Sequence, residues 1–382
     1  MNIKETKKAE SRIDTRYISS LNIKGFGERN LYPQELRAIV MASPNARGCY
    51  ERRANYIEGD GIASQSLSDT VCNRRGDKFD DIHSLCSADI ALYEGVALHI
   101  NYTIEGKIAS ITHIPFENCR LEEADEDGVV RHIVVHPDWS GKLTRNGNAV
   151  KVNEENVLRF NTFNPDPEVV QKEIEEAGGI SLYHGQVLYR SAEGLNAYCT
   201  PRIDSSLTDI SSDEGIANVN YRNVRFNFLA GGLLWVKKSA GNESTEEALI
   251  SAIENLQGDT HACKIGVCFG ETDEDKPELI SFAGENQDGK YVNTTESVVS
   301  NIYAAFNQEL FYRLRNGSIG FSGELATQVK LEYCEQVSKE QRMLARIYRT
   351  ITEHWQEGVL PYQGSQDVQI IPLVKAVTNG AI

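Results

Sequence analysis

The sequence predicts an α+β protein in which two long helices enclose a small α/β module. Three observations predict it: a helical apolar stripe that begins at Thr200, a second stripe that ends at Gly317, and short strand patterns between them. The predicted helices are 200–230 and 293–312, and the module is 231–292. A chain that leaves along one helix and returns along another forms a hairpin of two antiparallel rods.

The first helix is predicted to begin at Thr200 and Pro201, a capping hydroxyl followed by a proline at the first helical position. Apolar residues then recur every three or four positions, interrupted by Glu214. They are Ile203, Leu207, Ile210, Ala217, Tyr221, Val224 and Phe228. The other faces carry the polar residues Asp204, Asp209, Asp213, Asn218, Asn220 and Arg222. We therefore expect a rod of roughly 40 Å with one buried side.

The second helix is predicted to start near Thr295 and Glu296 and to end at Asn316 and Gly317. Glycine can adopt the left-handed conformation that closes a helix. The side chains expected to be buried are Val299, Ile302, Phe306 and Leu310. Two helices with one apolar side each can pack together.

The module between the helices is predicted to run strand, helix, strand, strand. Residues 232–238, 264–270 and 278–284 have strand patterns, and an acidic turn links the last two. A capping box that begins at Ser244 opens the helix, which stops at Gly258.

The segments before the first long helix predict a mixed layer of helices and strands. Residues 1–30 are polar and mixed in charge, which predicts an arm that is ordered only against a neighbour. The other predicted elements are helices at 34–57 and 82–93, a surface helix or loop at 165–177, hairpins that turn at Glu105-Gly106 and Asp127-Gly128, and short strands in 141–160.

The C-terminal part is predicted to hold one more amphipathic helix and a tail. Ser338 and Gln341 are expected to cap this helix, whose buried stripe is Leu344, Ile347, Ile351 and Trp355. Residues 359–382 contain two prolines, and we expect them to extend along another subunit.

The order of these segments resembles that of the portal proteins of tailed bacteriophages, which connect head and tail. Residues 32–61 resemble the portal N-terminal segment, 88–120 the wing, and 312–355 the channel loop with the last wing helices. The resemblance covers most of the chain, and its specificity comes from the order of the segments.

The resemblance implies a division of the chain into portal regions. They are an arm at 1–30, a wing at 31–199, stem helices at 200–230 and 293–312 enclosing a clip at 231–292, a tunnel loop with C-terminal wing helices at 313–358, and a tail or short crown at 359–382. It also implies a closed homo-oligomeric ring, a dodecamer, through which double-stranded DNA is packaged and ejected.

The resemblance further implies partners and site residues. The partners are the large terminase subunit, head-completion or tail adaptor proteins and the major capsid protein, in a virion assembled in the host cytoplasm. Channel-facing candidates are Arg313, Arg315, Asn316 and Ser318. Candidates for clip docking are Lys237, Lys238, Glu271 and Asp273.

Composition is compatible with this reading. The 382 residues carry a net charge of −16, which argues against tight binding to nucleic acid but suits a wall along which DNA must slide. Eight cysteines without paired spacing predict buried, reduced thiols. No apolar run approaches the roughly 20 residues of a membrane span, and 1–8 lacks the apolar region of a secretion signal.

Catalytic and metal-binding patterns are weak. His132 and His136 lie on a predicted strand, where four residues span about 13 Å and cannot share a metal ion whose ligands lie at about 2 Å. The sequence contains neither a P-loop nor a Gly-x-Ser-x-Gly elbow. We therefore expect no enzyme activity and no cofactor.

Two alternatives stay open at this point. The first is another head-tail adaptor or neck component, against which the two long helices argue. The second is a metal-dependent enzyme that would use His261, Cys263 and an acidic cluster, with Cys268 nearby.

Overall fold

The computed structural model describes residues 15–142, 144–145, 148–149, 151–226, 233–237, 266–270, 287–320, 322–356 and 368–374. The chain divides into two compact units: Met1–Ile210 together with Ser300–Ile382, and Ser211–Val299. Both boundaries fall inside long helices. Helices and strands are both abundant, which confirms the α+β class.

The first unit is organised around a sheet that has nine strands within the described residues. Its strands are β1 (Tyr17–Ile18), β2 (Ile23–Lys24), β3 (Gly95–Tyr102), β4 (Ile108–His113), β5 (Cys119–Glu122), β6 (His132–Val135), β9 (Leu158–Thr162), β10 (Gln186–Ser191) and β11 (Gly194–Leu195). A separate pair is formed by β7 (Thr144–Arg145) and β8 (Asn148–Ala149). The order is β1-β2-β5-β6-β9-β10-β3-β4, and β11 pairs with β10.

All strand pairs of this sheet are antiparallel except β9 and β10. Parallel neighbours need a crossover connection. Here the connection contains α5 (Pro167–Glu176), which buries Val170 and Ile174. Of the two structures predicted for 165–177, a surface helix or a loop, the helix is found, and it covers the core with one side.

Helices of the first unit pack against the sheet and against one another. They are α1 (Tyr32–Ala42), α2 (Pro44–Glu58), α3 (Gln65–Ser68), α4 (Phe79–Tyr93), α8 (Glu309–Arg315), α9 (Gly323–Gln336) and α10 (Ser338–Glu353). The core joins α4 to α10, since the ring of Tyr348 meets Phe79 edge-on at 5.0 Å. The predicted stripe Leu344, Ile347, Ile351 and Trp355 is buried, as expected.

Both predicted hairpins and the helix at 82–93 are confirmed. β3 and β4 turn at Gly106 and β5 and β6 at Gly128, and both glycines have positive φ. The helical stretch predicted at 34–57 is confirmed except at Ser43, where the chain breaks into two helices. The Ser43 hydroxyl caps α2 by accepting from the Ala46 N–H at 3.1 Å, and Pro44 lacks the N–H needed to continue α1.

The predicted N-terminal arm is wrong for residues 15–30. β1 and β2 extend the sheet through β5, and Leu21, Ile23 and Phe26 are buried. Polar residues between these three masked the strand pattern. Residues 1–14 lie outside the described part of the chain.

The long helices differ from the prediction at their ends. The first, α6 (Leu207–Phe226), follows a 3₁₀ turn at Arg202–Ser206 instead of starting at Thr200. Ile203, Leu207 and Ile210 are buried as predicted, but Asp213 is buried and Tyr221 is 56% exposed. Among the stripe residues whose side chains are described, Ile203, Leu207 and Ile210 are thus the buried ones.

The second long helix begins earlier and is interrupted. α7 (Gln287–Ala305) starts before the predicted Thr295, and α8 follows after a break at Asn307, whose φ is +54°. Ile302 and Phe306 are buried as predicted, whereas Val299 and Leu310 are only partly covered. Gly317, with a φ of +74°, closes α8 as expected.

The second unit contains two described strands between the long helices. β12 (Leu233–Lys237) and β13 (Gly266–Gly270) pair in parallel, with Leu233 opposite Gly266. Both coincide with predicted strands. The predicted helix at 244–258 and strand at 278–284 lie outside the described residues.

The C-terminal tail contacts its own subunit where it is described. The Asp60 N–H donates to the Ile371 carbonyl at 2.7 Å, and the Ile371 N–H donates to the Gly61 carbonyl at 2.9 Å. A Cβ at Gly59 would lie 2.1 Å from the Ile371 oxygen, so this position requires glycine. The predicted extension along another subunit is thus wrong for 368–374.

Candidate functional site at the end of the second helix

The predicted channel-facing arginines lie in the last turn of α8. Arg313 is exposed and has no carboxylate partner among the described residues. The Arg315 guanidinium donates to the Asn45 side-chain oxygen at 3.1 Å and to the Tyr303 hydroxyl at 3.0 Å. Cations at this end of a helix also offset its dipole. Arg313 is thus open to a partner, while Arg315 already links three parts of its own subunit.

The residues after α8 form a tight turn. The Asn316 side-chain oxygen accepts from the Ser318 N–H at 3.1 Å and from the Ser318 hydroxyl. Ser322 then caps α9 by accepting from the Leu325 N–H at 3.1 Å. The polar side-chain atoms of Asn316 and Ser318 therefore hydrogen-bond to each other within the turn. Their contact with DNA stays a prediction.

A buried glutamine holds α8 in place. Gln308 is 1% exposed, and its amide nitrogen donates to the Cys49 carbonyl and to the Tyr333 hydroxyl, both at 2.8 Å. Its amide oxygen accepts from Arg52 at 2.7 Å. The Arg52 guanidinium also lies over the Phe311 ring, 4.8 Å from its centre. Together these contacts tie the start of α8 to α2 and α9.

The ends of the two long helices nearest the first unit lie side by side. The Asn301 amide donates to the Asp209 carboxylate at 3.3 Å, and both side chains are on the surface. Ile210 and Ile302, one residue away on either helix, are fully buried. The chain therefore leaves and re-enters the first unit at neighbouring positions.

An ionic cluster around the buried guanidinium of Arg53 lies next to the turn before α6, and no local sequence pattern predicted it. Arg53 contacts Glu340 at 2.9 Å and Glu94 at 3.4 Å. Arg202 contacts the same two carboxylates at 3.1 and 2.5 Å. Burial alone would raise the pKa of Glu94, but the two guanidinium groups outweigh it and lower that pKa. The cluster joins α2, α4, α10 and the turn before α6.

Three of the four candidates for clip docking lie outside the residues that the structure describes. Lys237 is the last residue of β12, where the structure describes the backbone but not the side chain. Lys238, Glu271 and Asp273 lie outside the described residues. Their role stays a prediction.

The histidines and cysteines are arranged without a described metal site. His132 lies 2.6 Å from Glu122, whereas buried His136 accepts from the Asp138 N–H at 3.0 Å, so each has its own partner. No group of three or more His, Cys, Asp or Glu side chains suited to a metal occurs among the described residues. His261 and Cys263 lie outside them.

The cysteines with described side chains are buried free thiols, as the sequence predicted. They are Cys49, Cys72, Cys86, Cys119, Cys199 and Cys334. Burial raises the pKa of Cys72 to about 12. Protonated thiols of this kind are poor nucleophiles.

Every helix in the described part of the chain is too short or too polar to cross a bilayer.

No protein-family model matches the sequence, and no curated protein matches it either. Three solved structures are similar to the chain over most of its length. They are "Neck of native GTA particle computed with C12 symmetry" (TM-score 0.46, 11% identity, 84% of this chain and 80% of that chain), "Virion of native gene transfer agent (GTA) particle" (0.44, 12%, 87% and 82%) and "Neck of empty GTA particle computed with C6 symmetry" (0.43, 11%, 86% and 83%). Fold likeness does not specify function, which has to be argued from the residues.

Proposed function

We propose that this chain is the subunit of a phage-like portal, a closed ring at one capsid vertex through which double-stranded DNA enters and leaves the head. The observation that carries the proposal is the pair of long helices, α6 and α7, which leave and re-enter the first unit beside each other at Asp209 and Asn301. Between them lies a separate compact unit with a parallel strand pair. This is the connectivity expected of a stem that carries a clip.

Charge supports a channel through which DNA moves without being held. A net charge of −16 leaves little non-specific affinity for phosphates. Arg313 supplies an exposed cation near the end of α8, and Arg315 follows two residues later. A few weak contacts of this kind would centre a duplex and still let it slide.

The partners follow from the same role. The second unit would dock the large terminase subunit during packaging and an adaptor protein afterwards, and the first unit would meet the major capsid protein. The subunit itself has no catalytic role in this proposal, so the packaging motor is a different protein.

Measuring the mass of the purified full-length chain tests the proposal. We expect mass photometry to show one discrete closed assembly, a dodecamer, whose mass does not increase with concentration, because a cyclic head-to-tail interface closes on itself. A monomer at micromolar concentration would contradict it. A closed ring that fails to carry terminase would favour the adaptor alternative.

A further inference from the structure

A basic pocket lies in the first unit where α4 and β10 end and α10 begins. Its volume is roughly 350 Å³. Five of its lining side chains are cationic: Arg190, Arg202, Lys339, Arg342 and Arg346. Such a concentration of positive charge is unusual in a chain whose net charge is −16.

Within the described residues, four of these cations have no carboxylate partner: Arg190, Lys339, Arg342 and Arg346. Lys339, Arg342 and Arg346 are spaced three and four residues apart, so they share one side of α10, and all three are exposed. Among the described residues none of them forms an ion pair. Arg202, by contrast, is already engaged with Glu94 and Glu340. The pocket therefore carries surplus positive charge and suits an anionic ligand.

The floor of the pocket favours a peptide carboxylate over a phosphate backbone. Glu94 and Glu340 lie there, and they would repel a polyanion. The Oε2 atom of Glu340 is buried and accepts no hydrogen bond within the described part of the chain. A phosphodiester brings acceptors only, whereas a peptide brings carboxylates as well as N–H donors. Met343, which is partly exposed, adds apolar surface for its side chains.

The same chain offers an acidic segment that fits. Glu175 and Glu176 are exposed at the carboxyl end of α5, where the helix dipole adds negative charge. Glu175 has no cationic partner among the described residues, and Glu176 reaches only Lys172, at 3.8 Å. Two exposed apolar side chains follow within six residues of Glu176: Ile180 is 37% exposed and Leu182 is 61% exposed.

The pocket and the acidic segment lie at opposite ends of β10. Gln186, the first residue of β10, donates to Glu173 of α5 at 2.9 Å, which places α5 at the beginning of that strand. Arg190 and Ser191, the last two residues, line the pocket. Six strand residues span about 17–20 Å, so one copy presents the two surfaces at separate places.

We propose that the acidic end of α5 in one copy binds in the basic pocket of the next copy around the ring. A cyclic head-to-tail assembly requires two different complementary surfaces on every subunit, and these two meet that requirement. This inference rests on the proposed ring, but it can fail while the ring stands.

Charge reversal tests the pairing. We expect the pocket variant Arg342→Glu/Arg346→Glu and the helix variant Glu175→Lys/Glu176→Lys each to weaken assembly at least tenfold at about 0.15 M salt. All four substitutions together in one chain should restore it, because the exchanged charges attract again. The matched control Lys330→Glu/Lys151→Glu reverses two other exposed cations and should assemble like the wild type. Mass photometry gives the assembled fraction, and circular dichroism confirms folding.

The outcomes separate this inference from the proposed function. A wild type that stays monomeric would overturn the ring itself. The pairing alone would be overturned if the pocket variant formed rings as well as the wild type. It would also be overturned if the chain with all four substitutions were folded but did not regain assembly. Loss of binding to a duplex oligonucleotide in the pocket variant, with assembly unchanged, would assign the pocket to phosphate and would also overturn it.

Discussion

The side-chain amide of Asn301 donates a hydrogen bond to the Asp209 carboxylate at 3.3 Å. These residues are 92 positions apart in the sequence, and they lie near the start of α6 and the end of α7. The contact shows that the segment between Asp209 and Asn301 leaves the first unit and returns to it at neighbouring positions. It is exposed, so the buried side chains beside it, Ile210 and Ile302, must supply most of the stability there.

We expect Ile302→Ala to lower the free energy of unfolding by about 2–5 kcal/mol, because it leaves a cavity in a fully buried position. The adjacent control Asn301→Ala should cost less than about 1 kcal/mol, as is usual for an exposed hydrogen bond. Urea unfolding at one fixed protein concentration measures both, since assembly makes stability depend on concentration. Equal effects of the two substitutions would contradict this account of the helix ends.

Removing the Gln308 amide should destabilise the protein by about 2–3 kcal/mol. Gln308→Ala leaves the Cys49 carbonyl, the Tyr333 hydroxyl and the Arg52 guanidinium without their shared partner, and unsatisfied buried groups cost about 1–3 kcal/mol each. Gln336→Ala, at the exposed end of α9, is the matched control and should change little. The same urea titration applies, and a neutral Gln308→Ala would rule out an anchoring role.

Local patterns predicted the elements whose apolar residues repeat regularly. The stripe from Leu344 to Ile351 lies where expected, since burial on one side of a helix dictates its spacing. The predictions that were wrong concerned residues whose contacts are with residues distant in sequence. Gln341 was predicted to cap α10, yet Val337 occupies the N-cap position, and the Gln341 amide donates to the Tyr56 and Ile57 carbonyls of α2.

Contacts between residues distant in sequence also explain why neither the break in the second long helix nor the ionic cluster was predicted. The periodicity continues past Phe306, but the chain leaves helical geometry at Asn307 so that Gln308 can reach Cys49, 259 positions earlier. Likewise, Arg53 and Glu340 are 287 positions apart. No spacing rule connects such residues. For the channel residues, the resemblance placed a tunnel loop from 313 onwards, whereas Arg313 and Arg315 lie in the last turn of α8.

Stability should fall as the solution is acidified through the range in which Glu94 takes up a proton. Arg53 and Arg202 hold the pKa of Glu94 below its ordinary value in the folded state. Between that lowered pKa and about 4.3, the unfolded chain binds more protons than the folded one, so the contribution is present above this range and is lost below it. Glu94→Gln should flatten the dependence of unfolding free energy on pH below about pH 4.3. An unchanged slope in Glu94→Gln would contradict the assignment.

Neutralising the α8 arginines should alter the passage or retention of DNA and leave the ring intact. Arg313→Gln removes an exposed charge, so we expect normal assembly and a changed yield of packaged DNA. Arg315→Gln additionally weakens the contacts with Asn45 and Tyr303, and should also lower stability by about 1 kcal/mol. Nuclease-protected DNA per particle is the readout. Unaltered packaging in both variants would remove the channel assignment.

Imaging the purified full-length chain by electron microscopy tests the central claim most directly. The account predicts closed rings of one size with a central channel, and class averages in which α6 and α7 of every subunit run side by side. Monomers, open filaments, or a map in which these two helices are far apart would contradict it.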